Sequence, residues 1–215
     1  MTPTRRAAAL GAVATAAAVA VPWARARARR WGATDDEVAV RMPGDDLVPA
    51  AGVVATRAVT IEATPEVVWQ WLVQIGQDRG GFYSYDHLEN LLGLGIRSAT
   101  SVEDRWQALV PGDVVRLADK VGLDVVVAEP GFALVLSAPD RAFTWSFVLR
   151  DCHGRTRLVA RERYATPNPV VRALSEVTSL VSAVMTRAML RGIRDRAERS
   201  TAAPTLVPAP AGQPV

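Results

Sequence analysis

The order of hydrophobic and polar residues predicts a strand, two helices, a run of further strands and a long terminal helix. Residues 53–63 alternate and are rich in Val, Thr and Ile, which is typical of a strand. Residues 64–76 then place apolar side chains at helical spacing. A shorter helix is predicted over residues 86–92, where Asp86 and Glu89 have the spacing of a capping box.

From residue 100 onwards the pattern changes to short alternating segments separated by turns. The predicted strands are 114–119, 123–129, 132–138, 142–150 and 155–164. Their short connections imply antiparallel neighbours. Phe143, Trp145 and Phe147 share one apolar face, whereas Arg161 and Arg163 lie on the opposite face of the last strand. The sheet is therefore expected to have one apolar and one wet side, with these arginines facing water or acids on a neighbouring strand.

The last predicted element is a long amphipathic helix over residues 170–200. Its apolar stripe consists of Val170, Leu174, Val177, Val181, Val184, Met185 and Ile193. Strands followed by such a helix indicate an α+β fold. A strongly curved sheet can wrap this helix, and a cavity opens where the two do not fully meet.

The chain has 215 residues, enough for one sizeable domain. We assign that domain to residues 53–200. An acidic, turn-rich stretch at 32–52 is predicted to be a linker, and the proline-rich tail at 201–215 is predicted to be disordered.

Residues 1–31 form a hydrophobic segment with basic flanks. Residues 7–24 are an uncharged run of 18, of which ten are alanine. Three interpretations remain open: a membrane anchor, a cleaved signal peptide, and an alanine-rich soluble helix. An anchor would leave the domain in the cytoplasm, because more arginines follow the run than precede it. A cleaved signal would export it.

Charge and composition exclude several classes of function. The net charge is +3, yet residues 32–169 carry 13 basic and 19 acidic side chains. An acidic domain argues against nucleic-acid binding. One cysteine and two histidines give little material for a disulfide framework or a metal centre, so we predict neither a metal nor a cofactor.

Aromatic residues concentrate ahead of the predicted short helix. Residues 69–85 hold five of them, with the pair Gly80-Gly81 among them, which suits a gate over an apolar cavity. Ordinary core packing is the alternative. The candidate ligand-binding residues from this stretch and the sheet are Trp69, Phe82, Tyr83, Tyr85, Trp106 at the cavity rim, Trp145, Phe147 and Tyr164.

A few polar residues could carry chemistry in such a cavity. Glu162 alternates onto the same face as Leu158 and Tyr164, so it is predicted to point inward and to position a polar group of a ligand. A register slip of one residue would instead turn it to solvent. His87 titrates near neutrality and lies beside Tyr85. Tyr85, His87 and Glu162 are therefore the catalytic candidates.

The segments 59–93, 111–117 and 143–164, followed by the terminal helix, resemble the SRPBCC superfamily. This superfamily includes START lipid-transfer domains, birch-pollen-allergen-like proteins and polyketide cyclases. The likeness is strongest to an actinobacterial branch whose members often begin with a hydrophobic segment. A tryptophan would be expected where this chain has His87, so the pocket mouth is expected to be less apolar than in that branch.

The resemblance implies a helix-grip fold and leaves three functions open. The first is binding, with possible transport, of a hydrophobic small molecule or lipid by a membrane-tethered domain. The second is a cyclase or dehydratase that moves protons with a few polar cavity residues. The third is a scaffold with a filled core. The shortage of strong acid–base pairs favours binding.

Overall fold

The computed structural model describes residues 22–86, residue 90 and residues 95–202. The strands are β1 (Ala51–Ile61), β2 (Val114–Ala118), β3 (Val121–Glu129), β4 (Ala133–Ser137), β5 (Phe143–Asp151) and β6 (Thr156–Ala165). They form one antiparallel sheet in the order β1-β6-β5-β4-β3-β2. The helices are α1 (Asp35–Ala39), α2 (Pro65–Val73) and α3 (Pro169–Ala202), with 3-10 turns at Asp45–Leu47 and Asp104–Trp106. Residues 22–29 are also helical.

This architecture confirms the predicted α+β class and the helix-grip fold. A curved antiparallel sheet wraps one long C-terminal helix, and a short helix follows the first strand. Of the short helix predicted at 86–92, the structure describes Asp86 and Asn90, and both are helical. His87 and the stretches 1–21 and 203–215 lie outside the described residues. No helix in the described part of the chain has the length and hydropathy to span a membrane.

The inner face of the sheet carries the main core. Glu162 of β6 lies opposite Ala55 of β1 and Trp145 of β5, so these three residues share the face that points towards α3. The predicted register of β6 is therefore confirmed. The core on this face includes Ile61, Leu72, Leu134, Phe147, Leu158 and Ile193.

The prediction that the outer face of the sheet is exposed to water was wrong at the arginines of β6. Arg161 is almost fully buried and donates to Asp45 (2.7 Å) and to the backbone carbonyl oxygens of Glu37 (2.6 Å) and Val38 (3.1 Å). Its acidic partner and these carbonyl oxygens come from the chain before β1, and β1 itself contributes the hydroxyl of Thr56 (3.0 Å) and no acid. The reason is that guanidinium groups can be buried when every donor finds an acceptor.

The outward stripe of α3 is the second correction. Val170, Leu174, Val177, Val181 and Val184 were expected to make the apolar stripe of an amphipathic helix that the sheet wraps, and they are between 54 and 69% exposed. The first half of α3 buries small and polar side chains instead, among them Ser175, Ser179 and Thr186. Of the expected stripe, Ile193 lies in the core and Met185 lines the space between helix and sheet, while Met189 and Leu190, which were not part of the prediction, are also in the core.

The C-terminal half of α3 packs closely on the loop that follows α2. Gly192 faces Tyr83, and a Cβ atom at Gly192 would overlap the backbone carbonyl oxygen of Tyr83. Tyr83 itself has a positive φ of 57°. Only a glycine on the helix leaves room for this backbone approach, which fixes the loop over the end of the sheet.

We expect Gly192→Ala to destabilise the protein by about 1–3 kcal/mol, because the added methyl group forces helix and loop apart. At an unobstructed helical site the same change stabilises by about 1 kcal/mol. Chemical denaturation of the full chain measures the free energy of unfolding. A variant more stable than the parent would contradict the close packing.

Candidate functional site

A cavity of about 440 Å³ lies between the inner face of the sheet, the loop after α2, and α3. Its walls are mainly apolar, and they include Phe82, Ile96, Leu117, Phe143, Met185 and Met189. The cavity exists because the first half of α3 presents short side chains to the sheet, so that helix and sheet do not fill the space between them.

One end of the cavity is built around the carboxylate of Glu162. Its Oε1 accepts from Arg57 (2.8 Å), from the hydroxyl of Ser182 (2.6 Å) and from the hydroxyl of Thr186 (2.9 Å). Its Oε2 accepts from the Tyr164 hydroxyl at 3.0 Å. Within the described residues, no three His, Cys, Asp or Glu side chains come together to hold a metal ion. The carboxylate is therefore held by hydrogen-bond donors.

The guanidinium group of Arg57 neutralises the carboxylate of Glu162. The side chains of Arg57 and Glu162 are each 1% exposed. The guanidinium group also donates to the backbone carbonyl oxygens of Ser179 (3.2 Å) and Ala28 (3.1 Å). Burying two charges is unfavourable unless they are paired and their remaining donors are satisfied. These contacts meet that requirement, and they connect β1, β6, α3 and helix 22–29 at the buried ion pair.

Trp145 contributes a buried donor without a partner. It lies directly opposite Glu162 on the neighbouring strand and lines the cavity. In the part of the chain that the structure describes, its indole Nε1 has no hydrogen-bond acceptor. A buried N–H group without an acceptor is costly, so it marks a position where a ligand atom would be favourable.

Tyr164 is held as a proton donor. Burial raises the pKa of its hydroxyl, and the negative charge of Glu162 together with the hydrogen bond to it raises that pKa further. The phenol therefore stays protonated across the physiological range.

The structure brings four of the predicted site residues together on the cavity wall. These are Phe82, Trp145, Glu162 and Tyr164. Trp69 and Phe147 are buried in the core cluster. Trp106 lies on the second 3-10 turn, where the guanidinium group of Arg105 stacks 4.3 Å above its ring. Tyr85 is 49% exposed, and His87 lies outside the described residues.

Tyr83 is buried beside the cavity and anchors the loop after α2. Its ring packs edge-on against Trp71 and under the guanidinium group of Arg196, 4.5 Å from the ring centroid. Its hydroxyl accepts from the side-chain amide of Gln74 at 2.8 Å. Burial raises the pKa of this hydroxyl to about 12.

Sequence reasoning missed three residues of the polar end: Arg57, Ser182 and Thr186. The sequence contained a pattern that pointed to each of these residues. Arg57 alternates onto the apolar face of β1, where an unpaired charge would be unfavourable. Ser182 and Thr186 are four residues apart, so they lie on one side of a helix. What could not be seen was that this side faces Glu162.

Comparison with known proteins finds similarity only among solved structures. No protein-family model matches the chain, and no curated protein matches it in sequence. The polyketide_cyc-like protein Cgl2372 from Corynebacterium glutamicum is 15% identical, with a TM-score of 0.42, covering 69% of this chain and 93% of that one. The self-sacrificing resistance protein CalC from Micromonospora echinospora is 10% identical, with a TM-score of 0.42, covering 68% and 95%. The Aha1 dimer from Colwellia psychrerythraea is 15% identical, with a TM-score of 0.40, covering 68% and 96%.

We expect Arg57→Met to lower the free energy of unfolding by about 3–5 kcal/mol, because it leaves a buried carboxylate without its cation. The double variant Arg57→Met/Glu162→Gln should recover most of this loss, since an amide oxygen still accepts from the neighbouring hydroxyls. As a matched control, Arg155→Met breaks the exposed pair with Glu62 and should cost less than about 1 kcal/mol. Urea unfolding measures all three. A double variant as unstable as Arg57→Met would contradict the assignment.

The raised pKa of Tyr83 predicts a loss of stability at high pH. An unfolded tyrosine loses its proton near pH 10, whereas Tyr83 in the folded protein holds it to about pH 12. Its contribution is therefore complete below about pH 10 and lost between about pH 10 and 12. Unfolding free energies measured across that window should fall with a shallower slope in Tyr83→Phe. Equal slopes in parent and variant would contradict the prediction.

Proposed function

We propose that this protein binds a hydrophobic small molecule in the cavity between the sheet and α3, and holds the polar end of that molecule at Glu162, Tyr164 and Trp145. The observation that carries the proposal is the unpartnered indole N–H of Trp145, a residue that lies opposite Glu162 in the sheet and lines the same mainly apolar cavity. A core that served only packing would gain nothing from leaving this donor unsatisfied.

The size and lining of the cavity support a small organic ligand. Its volume of about 440 Å³ falls within the range typical of ligand pockets. Apolar walls supply affinity, because they take apolar surface of the ligand out of water. A few fixed polar groups then set the orientation of the ligand.

The polar end defines what the bound molecule must carry. The indole N–H of Trp145 requires an acceptor such as a carbonyl oxygen. Oε1 of Glu162 already takes three donors, whereas Oε2 takes only the Tyr164 hydroxyl among the described residues. A hydroxyl group on the ligand could therefore donate to Oε2. A hydrophobic molecule with a carbonyl and a hydroxyl group meets both conditions, and such molecules include both lipids and aromatic compounds.

Membrane anchorage by residues 7–24 belongs to the same proposal. The uncharged run and its flanking arginines support an anchor that leaves the domain in the cytoplasm, with export after signal cleavage as the alternative. Fractionation of the full chain distinguishes the two, because an anchored chain stays in the membrane pellet at high salt.

A cyclase- or dehydratase-like reaction is the second candidate function. The observation that favours it is a carboxylate hydrogen-bonded to a protonated phenol inside an apolar cavity, which is an arrangement suited to proton transfer. Turnover of a bound molecule, abolished by Glu162→Gln while binding persists, would support an enzyme. Recovery of the molecule unchanged would support binding alone.

The direct experiment is to identify what occupies the cavity. The full chain is purified, extracted with organic solvent, and the extract analysed by mass spectrometry. A stoichiometric molecule that carries a carbonyl or hydroxyl group on an apolar body is expected. The proposal is contradicted if no molecule is recovered and none of a panel of lipids and aromatic ketones raises the melting temperature.

A pair of simple probes tests the role of Trp145. We expect Trp145→Phe to weaken binding of 2-acetylnaphthalene by about 5- to 10-fold, which corresponds to the loss of one hydrogen bond of about 1–1.4 kcal/mol. Binding of naphthalene, which has no acceptor, should change much less. Equilibrium dialysis measures both. Trp106→Phe, which alters a tryptophan outside the cavity wall, is the matched control. Equal losses for the two probes would contradict the assigned hydrogen bond.

A further inference from the structure

The first half of α3 presents an apolar stripe to the outside of the protein. Val170, Leu174, Val177, Val181 and Val184 follow one another at helical spacing and are between 54 and 69% exposed. We call these five residues the outer stripe. A contiguous exposed row of this kind marks a contact surface more often than isolated exposed side chains do.

The outer stripe has no charged residue within it and a basic border. Between Pro169 and Thr186, the charged residues of α3 are Arg172 and Glu176. Glu176 is already neutralised by an ion pair with Arg29 of helix 22–29. Arg172 is exposed and stands on the same stretch of helix. The border of the stripe is thus left with a net positive charge.

Helix 22–29 runs beside α3 and extends this border. Its Arg29 is tied to α3 by the ion pair with Glu176. Burial lowers the pKa of Arg29, and the charges of Arg172 and Arg25 lower it further. Trp23 is 66% exposed and stacks with Arg27 at 5.8 Å. Exposed tryptophan and arginine beside an apolar stripe are the combination found where proteins meet a bilayer surface.

The outer stripe also reaches the candidate ligand site. Val181 is 62% exposed and at the same time lines the cavity, together with Thr178 and Ser182 on the adjacent side of α3. Any surface that covers the stripe therefore lies against the rim of the cavity.

We propose that the outer stripe, together with Arg172 and with Arg25 and Arg27 of helix 22–29, docks on an anionic lipid surface, with the rim of the cavity facing that surface. Arginines pair with the lipid phosphates, while the valines and Leu174 enter the boundary between headgroups and acyl chains. The sequence ahead of helix 22–29 also favours a lipid partner, because the uncharged run 7–21 directly precedes Pro22. A second copy of the chain is a poorer occupant, since it would bring a basic border against a basic border.

The test places an environment-sensitive fluorophore on the stripe of the full chain. Cys152→Ser removes the native thiol, and Val177→Cys is labelled with a nitrobenzoxadiazole group; Val177 does not line the cavity. The matched control is Val121→Cys, which is 51% exposed and lies at the start of β3, next to the edge strand β2. The probes are vesicles of phosphatidylcholine with and without phosphatidylglycerol. A local label reports on the stripe even if residues 7–21 hold the chain on the vesicle.

We expect a blue-shifted, several-fold brighter emission at position 177 with anionic vesicles, little change at position 121, and weakening of the response by salt or by Leu174→Asp. An unchanged emission at 177 would overturn the proposal. A response that needs no vesicles and grows with protein concentration would overturn it in favour of a second copy. A label that is already bright without vesicles at every protein concentration would overturn the proposal and indicate that the chain's own terminal segments cover the stripe. An equal response to neutral vesicles would refute the role of the arginines. Ligand binding in the cavity is measured separately, so its failure and this one are distinguishable.

Discussion

The buried ion pair between Arg57 and Glu162 is the interaction on which the rest of this structure depends. Both groups are almost completely removed from water, so neither can lose its partners without a large penalty. The carboxylate takes hydroxyl groups from Ser182 and Thr186, and the guanidinium group takes the carbonyl oxygen of Ser179. These contacts set the rotation of α3 about its own axis.

That rotation explains both the cavity and the outer stripe. Because α3 must turn its serines and Thr186 towards the sheet to satisfy the ion pair, its valines point outward. Short polar side chains fill less volume than valine or leucine, so space remains between helix and sheet. Beyond the polar end, the space between helix and sheet is filled by the core residues Met189, Leu190 and Ile193. One electrostatic requirement therefore produces an internal cavity and an external apolar surface on the same stretch of helix.

On the outer face of the sheet, the arginines of β6 are also neutralised, but by acids from another part of the chain. Arg157 and Arg161 of β6 are neutralised by Glu37 and Asp45, which lie ahead of β1 in the chain. The segment that carries these acids also buries Met42 against the sheet. Charge on β6 is thus compensated on both sides, by side chains on the inner face and by the preceding segment on the outer face.

The sequence alone determined the strands, their turns, the long helix and the α+β class, because alternation, helical spacing and turn residues act over a few neighbouring positions. It also determined that Glu162 and Tyr164 share a face, since strand alternation is strict. Only the tertiary structure decided which face of α3 points inward. Helical periodicity shows that an apolar stripe exists, and burial of that stripe is the usual outcome. Here a carboxylate and a guanidinium group 105 residues apart in the chain require hydrogen-bond donors and acceptors from the opposite face, and no local pattern records that requirement.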